Sequence, residues 1–201
     1  MQDSILKFSS EELEILNDLN FFLLKHSATQ KMVELFGRLE VLLKGIVHQN
    51  ELDVEGVNVS SGKIFRGENY NLFPYVLLDY PRLFSRESIF AFRTMFWWGS
   101  GFSFTLHLQG KALDQFRKTL LINQERMLNQ DIYFCVNNTP WKYHYEKENY
   151  TLIDELPSSQ MENYFSEKEF IKLSKRIPLE EYASLEVKGK ETLELFLSFL
   201  T

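Results

Sequence analysis

Side chains that could hold an anion are concentrated in the middle third of the chain. Arg66 and Arg93 carry permanently charged, planar guanidinium groups whose N–H donors match carboxylate and phosphate oxygens. His107 adds an imidazole that could accept a proton during a reaction. Tyrosines and a tryptophan nearby combine apolar rings with polar tips. The predicted ligand-binding set is Arg66, Tyr70, Tyr75, Arg93, Trp97 and His107.

The same residues also allow a purely structural interpretation. Residues 66–69 can form a turn, and the arginines can pair with Glu68 or Asp79. If Arg93 is buried we expect an acidic partner, because an unpaired buried charge is costly. We also expect His107 to be neutral near pH 7, since a neighbouring arginine disfavours the imidazolium form.

A predicted hairpin sets the register of this region. Gly99-Ser100-Gly101 is typical of a three-residue loop between strands at about 89–98 and 102–109. Pairing Trp98 with Phe102 places the apolar rows of both strands on one face, whereas a loop of two or four residues would separate them. These rows are Phe90, Phe92, Phe96 and Trp98, with Phe102, Phe104, Leu106 and Leu108.

The opposite face of this hairpin carries the polar residues. In the predicted register Arg93 lies directly opposite His107, with Cβ atoms about 5 Å apart. Trp97 lies on the same face and could stack on a ligand, while Trp98 belongs to the core side.

Other kinds of site lack a recognisable motif. The four histidines (His26, His48, His107 and His144) form no H-E-x-x-H, and no cysteine pair exists, so we predict no metal site and no cofactor. His144 and Glu146 can share a strand face, but hydrogen-bonded histidines are the favoured interpretation. Cys135 lies between Phe134 and Val136, as an inert core thiol would. Neither a G-x-S-x-G elbow nor a glycine-rich phosphate loop is present.

The helices and strands predicted around these residues indicate one α+β domain spanning residues 1–201. Residues 1–55 are predicted helical, with a capping box at Ser9 and Glu12 and a second helix capped by Thr29. Residues 56–155 are predicted to be mainly sheet with one helix at 111–129, and residues 156–201 helical in pieces at 167–175, 179–182 and 191–200. The central antiparallel sheet should hold about 5–6 strands, chosen from 61–66, 73–80, 89–98, 102–109, 131–136, 141–145 and 150–153.

Composition and charge limit the class of protein. The 201 residues are 44% apolar and 25% charged, and 18 Phe with 9 Tyr predict an aromatic core beside a sheet. One cysteine excludes an intrachain disulfide. Because the first 13 residues lack a basic start before an apolar stretch, and no apolar run is long enough for a membrane span, we predict a cytoplasmic protein.

The charge is uneven along the chain. The net charge is −6, yet residues 60–120 hold eight Lys/Arg against four Asp/Glu, and residues 146–201 hold seven against twelve. A basic, aromatic sheet face could stack single-stranded nucleic acid. The overall acidity and the lack of an RNP-like motif argue against that function.

Several blocks resemble a family of uncharacterised bacterial proteins. They cover roughly a quarter of the chain, and the resemblance implies a bacterial cytoplasmic protein without implying any activity. The blocks are Arg66-Gly67-Glu68-Asn69-Tyr70, Pro74-Tyr75-Val76, Leu78-Asp79-Tyr80-Pro81, Arg93-Thr94-Met95-Phe96-Trp97-Trp98-Gly99 and Leu106-His107-Leu108-Gln109-Gly110.

Three functions remain open from the sequence. The leading hypothesis is a binding domain whose sheet-face cleft takes a small anionic ligand or an acidic segment of a protein partner. The second is a small hydrolase or transferase with His107 as base and Arg66 and Arg93 as anion clamp. It requires an acid, for which Asp79 is the candidate, within hydrogen-bonding reach of His107. The third is single-stranded nucleic-acid binding. The sequence does not decide whether the protein is an enzyme, and it does not give the oligomeric state.

Overall fold

A seven-stranded antiparallel sheet forms the centre of the protein in the computed structural model, which describes residues 6–201. This confirms the α+β class and adds at least one strand to the 5–6 predicted. The elements are α1 (Ser10–Asn17), α2 (Leu19–Gln49), β1 (Lys63–Tyr70), β2 (Phe73–Phe84), β3 (Ser88–Trp97), β4 (Gly101–Gly110), α3 (Lys111–Asn123), β5 (Tyr133–Cys135), β6 (Tyr150–Leu152), α4 (Ser158–Glu167), β7 (Phe170–Ile177) and α5 (Leu185–Ser198).

The strand order is β1-β2-β3-β4-β7-β5-β6, so a strand from the C-terminal third is inserted between β4 and β5. The predicted helix at 167–175 is therefore wrong. Ile171 and Leu173 face the helices, whereas Lys172 and Ser174 point to the other side of the sheet, which is the two-residue period of a strand. The predicted strand at 141–145 is also wrong, because those residues are irregular.

Helices α2, α3 and α5 pack on one face of the sheet, and we call this face the helix face. Its apolar side chains are fully removed from water, as the hydrophobic effect favours. The predicted rows are confirmed, except that Trp98 lies in the loop. The central members are Phe90, Phe92, Phe104, Leu106 and Leu108, all 0% exposed.

The β3–β4 hairpin has its predicted three-residue loop, but the loop begins one residue early, at Trp98. Phe96 therefore pairs with Phe102. The predicted opposition of Arg93 and His107 is wrong: Arg93 faces Thr105. Gly101 belongs to β4 and pairs with Trp97, and only glycine fits there because a Cβ would lie 2.8 Å from the Ile177 carbonyl oxygen. A shift of two keeps each side chain on its predicted face.

The N-terminal region forms one short and one long helix. The capping box is confirmed: Ser9 Oγ accepts the Glu12 backbone N–H at 3.1 Å, and the Glu12 carboxylate accepts the Ser9 N–H at 2.6 Å. Thr29 does not cap a second helix. It lies inside the 31-residue α2 and donates its hydroxyl to the Lys25 carbonyl oxygen at 2.8 Å. Among residues 6–201, no helix has the length and apolar character needed to cross a membrane.

Candidate functional site

The second face of the sheet is covered by an irregular stretch, residues 136–149, which we call the cover segment. Its Tyr143 is 8% exposed and packs with Leu77 and Met95 of the sheet. Its Trp141 ring meets the His107 ring edge-on at 5.9 Å. Five of the six predicted ligand-binding residues lie on this second face, which we call the cover face: Tyr70, Tyr75, Arg93, Trp97 and His107.

Arg93 is held in place from two sides. Asp79 lies directly opposite it on β2 and accepts two hydrogen bonds, at 2.7 Å from Nε and 2.8 Å from Nη2. A third bond of 2.7 Å runs from Nη1 to the Tyr143 hydroxyl. The pKa of Arg93 is raised because these acceptors outweigh the effect of burial, and the guanidinium is permanently charged. The expected acidic partner of a buried Arg93 is therefore present, in bidentate geometry.

Lys172 is the unusual charge on the cover face. It is 0% exposed, and its Nζ donates to two carbonyl oxygens of the cover segment, Pro140 at 2.8 Å and Lys142 at 2.7 Å. The Tyr143 ring lies 3.8 Å from the same nitrogen. No carboxylate pairs with it among the described residues. Burial is the main cause that lowers the pKa of Lys172 to about 7; Cys135 opposes this shift and the Arg93 charge adds to it.

His107 is the register partner of Lys172 on β4. It is 2% exposed, and neither ring nitrogen makes a hydrogen bond of normal geometry within the described part of the chain, although an interaction with the Gln109 side chain opposes the lowering of its pKa. Burial is the largest cause that lowers the pKa of His107 to about 3, and the Lys172 and Arg93 charges contribute to that shift. A pKa this low agrees with a neutral imidazole, although burial, and not the expected Arg93 charge, is its largest cause. The Gln109 Oε1 and Tyr150 hydroxyl atoms are also buried without a partner.

Such orphaned atoms are uncommon in folded proteins, because each costs about 1–3 kcal/mol of lost solvation. Here His107, Gln109 and Tyr150 have such atoms near an amine without a carboxylate among the described residues, although such atoms also occur at Arg82, Thr94, Trp98 and Gln124. None of the five cavities described is lined by Lys172 or His107, so an anion or ordered water would need local movement to reach these atoms.

The aromatic residues of the predicted set form one packed group beside Arg93. The Trp97 indole N–H donates to the Tyr70 carbonyl oxygen at 3.0 Å, and the two rings meet edge-on at 5.2 Å. The Tyr70 hydroxyl accepts the backbone N–H groups of Tyr143 at 2.6 Å and His144 at 3.3 Å. Tyr75 lies across Gly67, where any Cβ would overlap its ring. These side chains anchor the cover segment to the sheet.

Arg66 lies apart from this group. It pairs in register with Val76, whose side chain belongs to the helix-face core, so Arg66 projects on the opposite side of the sheet from Arg93. Its side chain is exposed. The structure therefore does not bring Arg66 and Arg93 together as a clamp.

The acid that a His107 base would need is not within hydrogen-bonding reach of either ring nitrogen. Asp79, the predicted candidate, is bound to Arg93. Cys135 is 0% exposed, and burial raises the pKa of its thiol, as expected for an inert core cysteine.

Three metal-ligating side chains do converge on the cover segment. One ligand atom each from His144, Glu146 and Glu148 lies within 4.8 Å of the others. The two carboxylates are each 64% exposed, and the Glu148 carboxylate already accepts a hydrogen bond from His144 Nε2 at 3.3 Å. The other nitrogen, Nδ1, contacts the Tyr70 hydroxyl at 3.4 Å. The Tyr70 hydroxyl oxygen already accepts two backbone N–H groups, so its own O–H is suited to donate to Nδ1. A metal bound to Nε2 would require the reverse, an N–H at Nδ1 that donates to an acceptor.

A surface cavity of about 470 Å³ lies at the edge of the cover segment. Lys168, Phe170, Glu167 and Glu169 are among the residues that line it. The Phe170 ring is 6.1 Å from the His107 ring, so a single aromatic side chain separates this cavity from the buried polar cluster.

Sequence reasoning missed Lys172, Tyr143 and the cover segment. Lys172 was hidden by the incorrect helix at 167–175. The alternation of Ile171, Leu173 and Ile177 with Lys172, Ser174 and Arg176 was the signal that could have indicated a strand there. An irregular segment has no periodicity, and nothing in its sequence indicates what it covers.

Comparisons with protein-family models, with curated proteins and with solved structures gave no match. The resemblance to uncharacterised bacterial proteins therefore stays a prediction, and the function has to be inferred from the site itself.

Proposed function

We propose that the protein binds a small anionic ligand beneath the cover segment, with Lys172 supplying the charge. The observation that carries this proposal is a fully buried Lys172 amine for which the described residues offer no carboxylate partner, next to an imidazole whose two nitrogens make no hydrogen bond of normal geometry. A carboxylate or phosphate oxygen would accept from Lys172, and the neutral imidazole could donate one further hydrogen bond.

The charges on the cover face favour an anion over a cation. Arg93 is balanced by Asp79, whereas Lys172 is not balanced. Half-buried Lys168 likewise donates only to backbone carbonyl oxygens of the cover segment, Val136 at 3.2 Å and Asn137 at 2.8 Å. Carbonyl dipoles solvate an ammonium less well than a full negative charge does. An incoming anion would therefore displace carbonyl oxygens and gain a stronger electrostatic partner.

Access to Lys172 requires local movement of the cover segment. The Phe170 ring offers one route, because it lines the 470 Å³ cavity and lies 6.1 Å from the His107 ring. Because the site is enclosed, a small ligand fits this proposal better than an acidic segment of a protein partner. Glu167 and Glu169 line the entrance and would disfavour highly charged anions. We accordingly expect monocarboxylates and singly charged phosphate species to bind best.

Binding should depend on pH through Lys172. Its pKa is about 7 in the free protein, so the amine is charged in only part of the molecules at neutral pH. An anion stabilises the ammonium form and raises its pKa, and binding near pH 8 must therefore take up a proton. The affinity should fall as the pH rises above 7. We further propose the cytoplasm of a bacterium as the setting.

The experiment is calorimetric titration with acetate, inorganic phosphate and citrate at pH 6.5 and pH 8.5. We expect saturable binding of at least one probe, tighter at pH 6.5. Replacing Lys172 with Met keeps most of the buried stem and removes the charge. Lys172→Met should weaken binding at least about tenfold, the equivalent of one charge-assisted hydrogen bond.

Lys175→Met is the matched control. Lys175 lies on the same strand but bonds the Gln130 carbonyl oxygen, away from the cover segment. This variant should bind like the unaltered protein. Equal affinity in the Lys172→Met variant, or no saturable binding of any probe at either pH, would contradict the proposed function.

A further inference from the structure

The hydrogen bonds of the Lys172 nitrogen match those of a neutral amine. Its Nζ donates to the carbonyl oxygens of Pro140 and Lys142, at 2.8 Å and 2.7 Å. A neutral amine has two N–H groups and an ammonium has three. Within residues 6–201, no oxygen or nitrogen atom accepts a third hydrogen bond from this Nζ. The two carbonyl oxygens therefore satisfy both donors of the neutral form, and its lone pair takes no part in these bonds.

The other neighbours of this nitrogen are aromatic rings. The Tyr143 and Tyr150 rings lie 3.8 Å and 5.2 Å from Nζ. Burial raises the pKa of Tyr143 to about 12 and raises that of Tyr150 well above its usual value, so both hydroxyl groups are uncharged at neutral pH. These rings attract a cation, but they supply no full negative charge to hold one. The Lys172 side chain is thus desolvated without receiving a counter-ion.

The titratable groups on the neighbouring strands leave part of Lys172 neutral. Burial is the main cause that lowers the pKa of Lys172 to about 7; the Cys135 thiol on β5 opposes this shift and the Arg93 charge on β3 adds to it. His107 on β4 has a pKa of about 3 and is itself neutral. A lysine that is desolvated, or that lies near another cation, is an activated nucleophile.

We propose that the Lys172 amine forms an imine with a small 2-oxo acid. This inference deepens the proposed function and rests on it, because the ligand is again a small anion enclosed at Lys172. The nitrogen lone pair attacks the carbonyl carbon, and one proton moves from nitrogen to the carbonyl oxygen. The resulting carbinolamine loses that oxygen as water, together with the second N–H proton. A C=N bond thereby replaces the C=O bond, and the step needs neither an oxidant nor a reductant.

The missing carboxylate at Lys172 favours a 2-oxo acid over a neutral aldehyde. A protonated imine is a cation, and an enclosed cation is costly unless a negative group lies beside it. The described residues offer Lys172 no such group. In a 2-oxo acid the carboxylate is bonded to the imine carbon, so the ligand brings the counter-ion with it. The ligand must be small, because it reaches Lys172 only through the same local movement of the cover segment.

Reductive trapping of the full chain tests the imine. The protein is incubated at pH 7 with glyoxylate and cyanoborohydride, which reduces an imine to a stable secondary amine, and peptide mass spectrometry locates the adduct. Exposed Lys118 on α3 is the internal control. A lysine in water is neutral in less than about 0.1% of molecules at this pH. We therefore expect Lys172 to be labelled at least about tenfold faster than Lys118.

Two comparisons show whether the fold and the ligand's carboxylate cause this preference. In urea the unfolded chain should label Lys172 and Lys118 at similar rates. Acetaldehyde has the same number of carbon atoms as glyoxylate but no carboxylate, and the preference for Lys172 should fall at least about tenfold with it. An undiminished preference with acetaldehyde would overturn the assignment of a 2-oxo acid.

The imine and the anion site can fail separately. Labelling of Lys172 no faster than that of Lys118 in the folded protein would overturn the imine. If acetate or phosphate still binds saturably in that case, and binds more weakly to Lys172→Met, the anion site stands and only the imine is wrong. If neither selective labelling nor saturable anion binding is observed, both proposals are wrong.

Discussion

The two faces of the central sheet are built from alternate residues of the same strands, yet they are buried in different ways. On the helix face, Phe92 and Leu106 pack against helices, and both are fully enclosed by apolar atoms. Arg93 and His107 are the next residues after Phe92 and Leu106 in the sequence, and on the cover face they are enclosed by an irregular segment that contributes Tyr143 and Trp141.

We interpret this difference as a division of roles, with the helix face stabilising the fold and the cover face holding the proposed ligand site. The helix face follows from the hydrophobic effect alone, and replacing its side chains can only weaken packing. The cover face buries Asp79, His107 and Lys172 and leaves 14% of the Arg93 side chain exposed, and each of these groups loses solvation on folding. Asp79 and Arg93 compensate each other, and His107 and Lys172 do not. We interpret the uncompensated pair as a site kept for a ligand.

The largest expected effect comes from the helix face. Phe92→Ala should lower the free energy of unfolding by about 4 kcal/mol, since it leaves a cavity in the centre of the core. Urea denaturation followed by circular dichroism measures this change. Met95→Ala on the cover face, where packing is less complete, should cost clearly less. Equal losses at the two positions would remove the distinction between the faces.

The second effect tests the compensated pair on the cover face. Asp79→Ala should cost about 3 kcal/mol, because it leaves the Arg93 guanidinium buried without its carboxylate. Adding Arg93→Met to this variant should recover part of the loss, since no charge is then buried unpaired. If the double variant is no more stable than Asp79→Ala in the same denaturation experiment, the pair does not behave as a compensated unit.

Much of the helix face and of its strands could be predicted from the sequence. The alternation from Phe90 to Leu108 gave both the strands and the loop length, because a one-residue error would have moved the apolar rows apart. The register itself was wrong by two. The sequence predicts that Trp98 is a strand residue, whereas in the structure it lies in the loop with its ring 6.0 Å from that of Phe96. A two-residue shift keeps the faces, so alternation cannot detect it.

The cover face was predictable only in part. Arg93, His107 and the tyrosines were identified by residue type, but their partners come from distant parts of the chain. Tyr143 is 50 residues from Arg93, and Lys172 reaches His107 only because β7 inserts beside β4. The prediction grouped Arg66 with Arg93, but Arg66 lies on the edge strand β1. The pairing of β1 with β2 fixes the face of Arg66 independently of the β3–β4 hairpin.

A smaller effect should appear in the pH dependence of stability. The pKa of Lys172 is about 7 in the folded protein, below its ordinary value of 10.5, so the unfolded chain binds more protons between these values. The free energy of unfolding should therefore gain from this group as the pH rises from 7 towards 10.5. Denaturation at pH 7 and pH 9.5 measures the change, and the gain should be absent in Lys172→Met. If the free energy of unfolding rises equally with pH in both proteins, the gain comes from another titrating group.

The smallest effect concerns the anchor of the cover segment. Trp97→Phe removes the N–H group that donates to the Tyr70 carbonyl oxygen but keeps most of the ring. We expect a loss of about 1 kcal/mol, the usual net value of one hydrogen bond. Hydrogen exchange should then be faster in residues 136–149 and unchanged in β4. Faster exchange throughout the sheet would indicate that the cover segment does not open separately.

The most direct test of the central claim is an NMR titration of the Lys172 side chain, with the Lys172→Met variant used for assignment. The ammonium should lose its proton near pH 7, and an anion that binds should move that midpoint upwards. A midpoint near 10.5 that does not respond to acetate, phosphate or citrate would mean that Lys172 is adequately solvated as it is. The cover face would then be architecture, like the helix face, and the anion site would have to be abandoned.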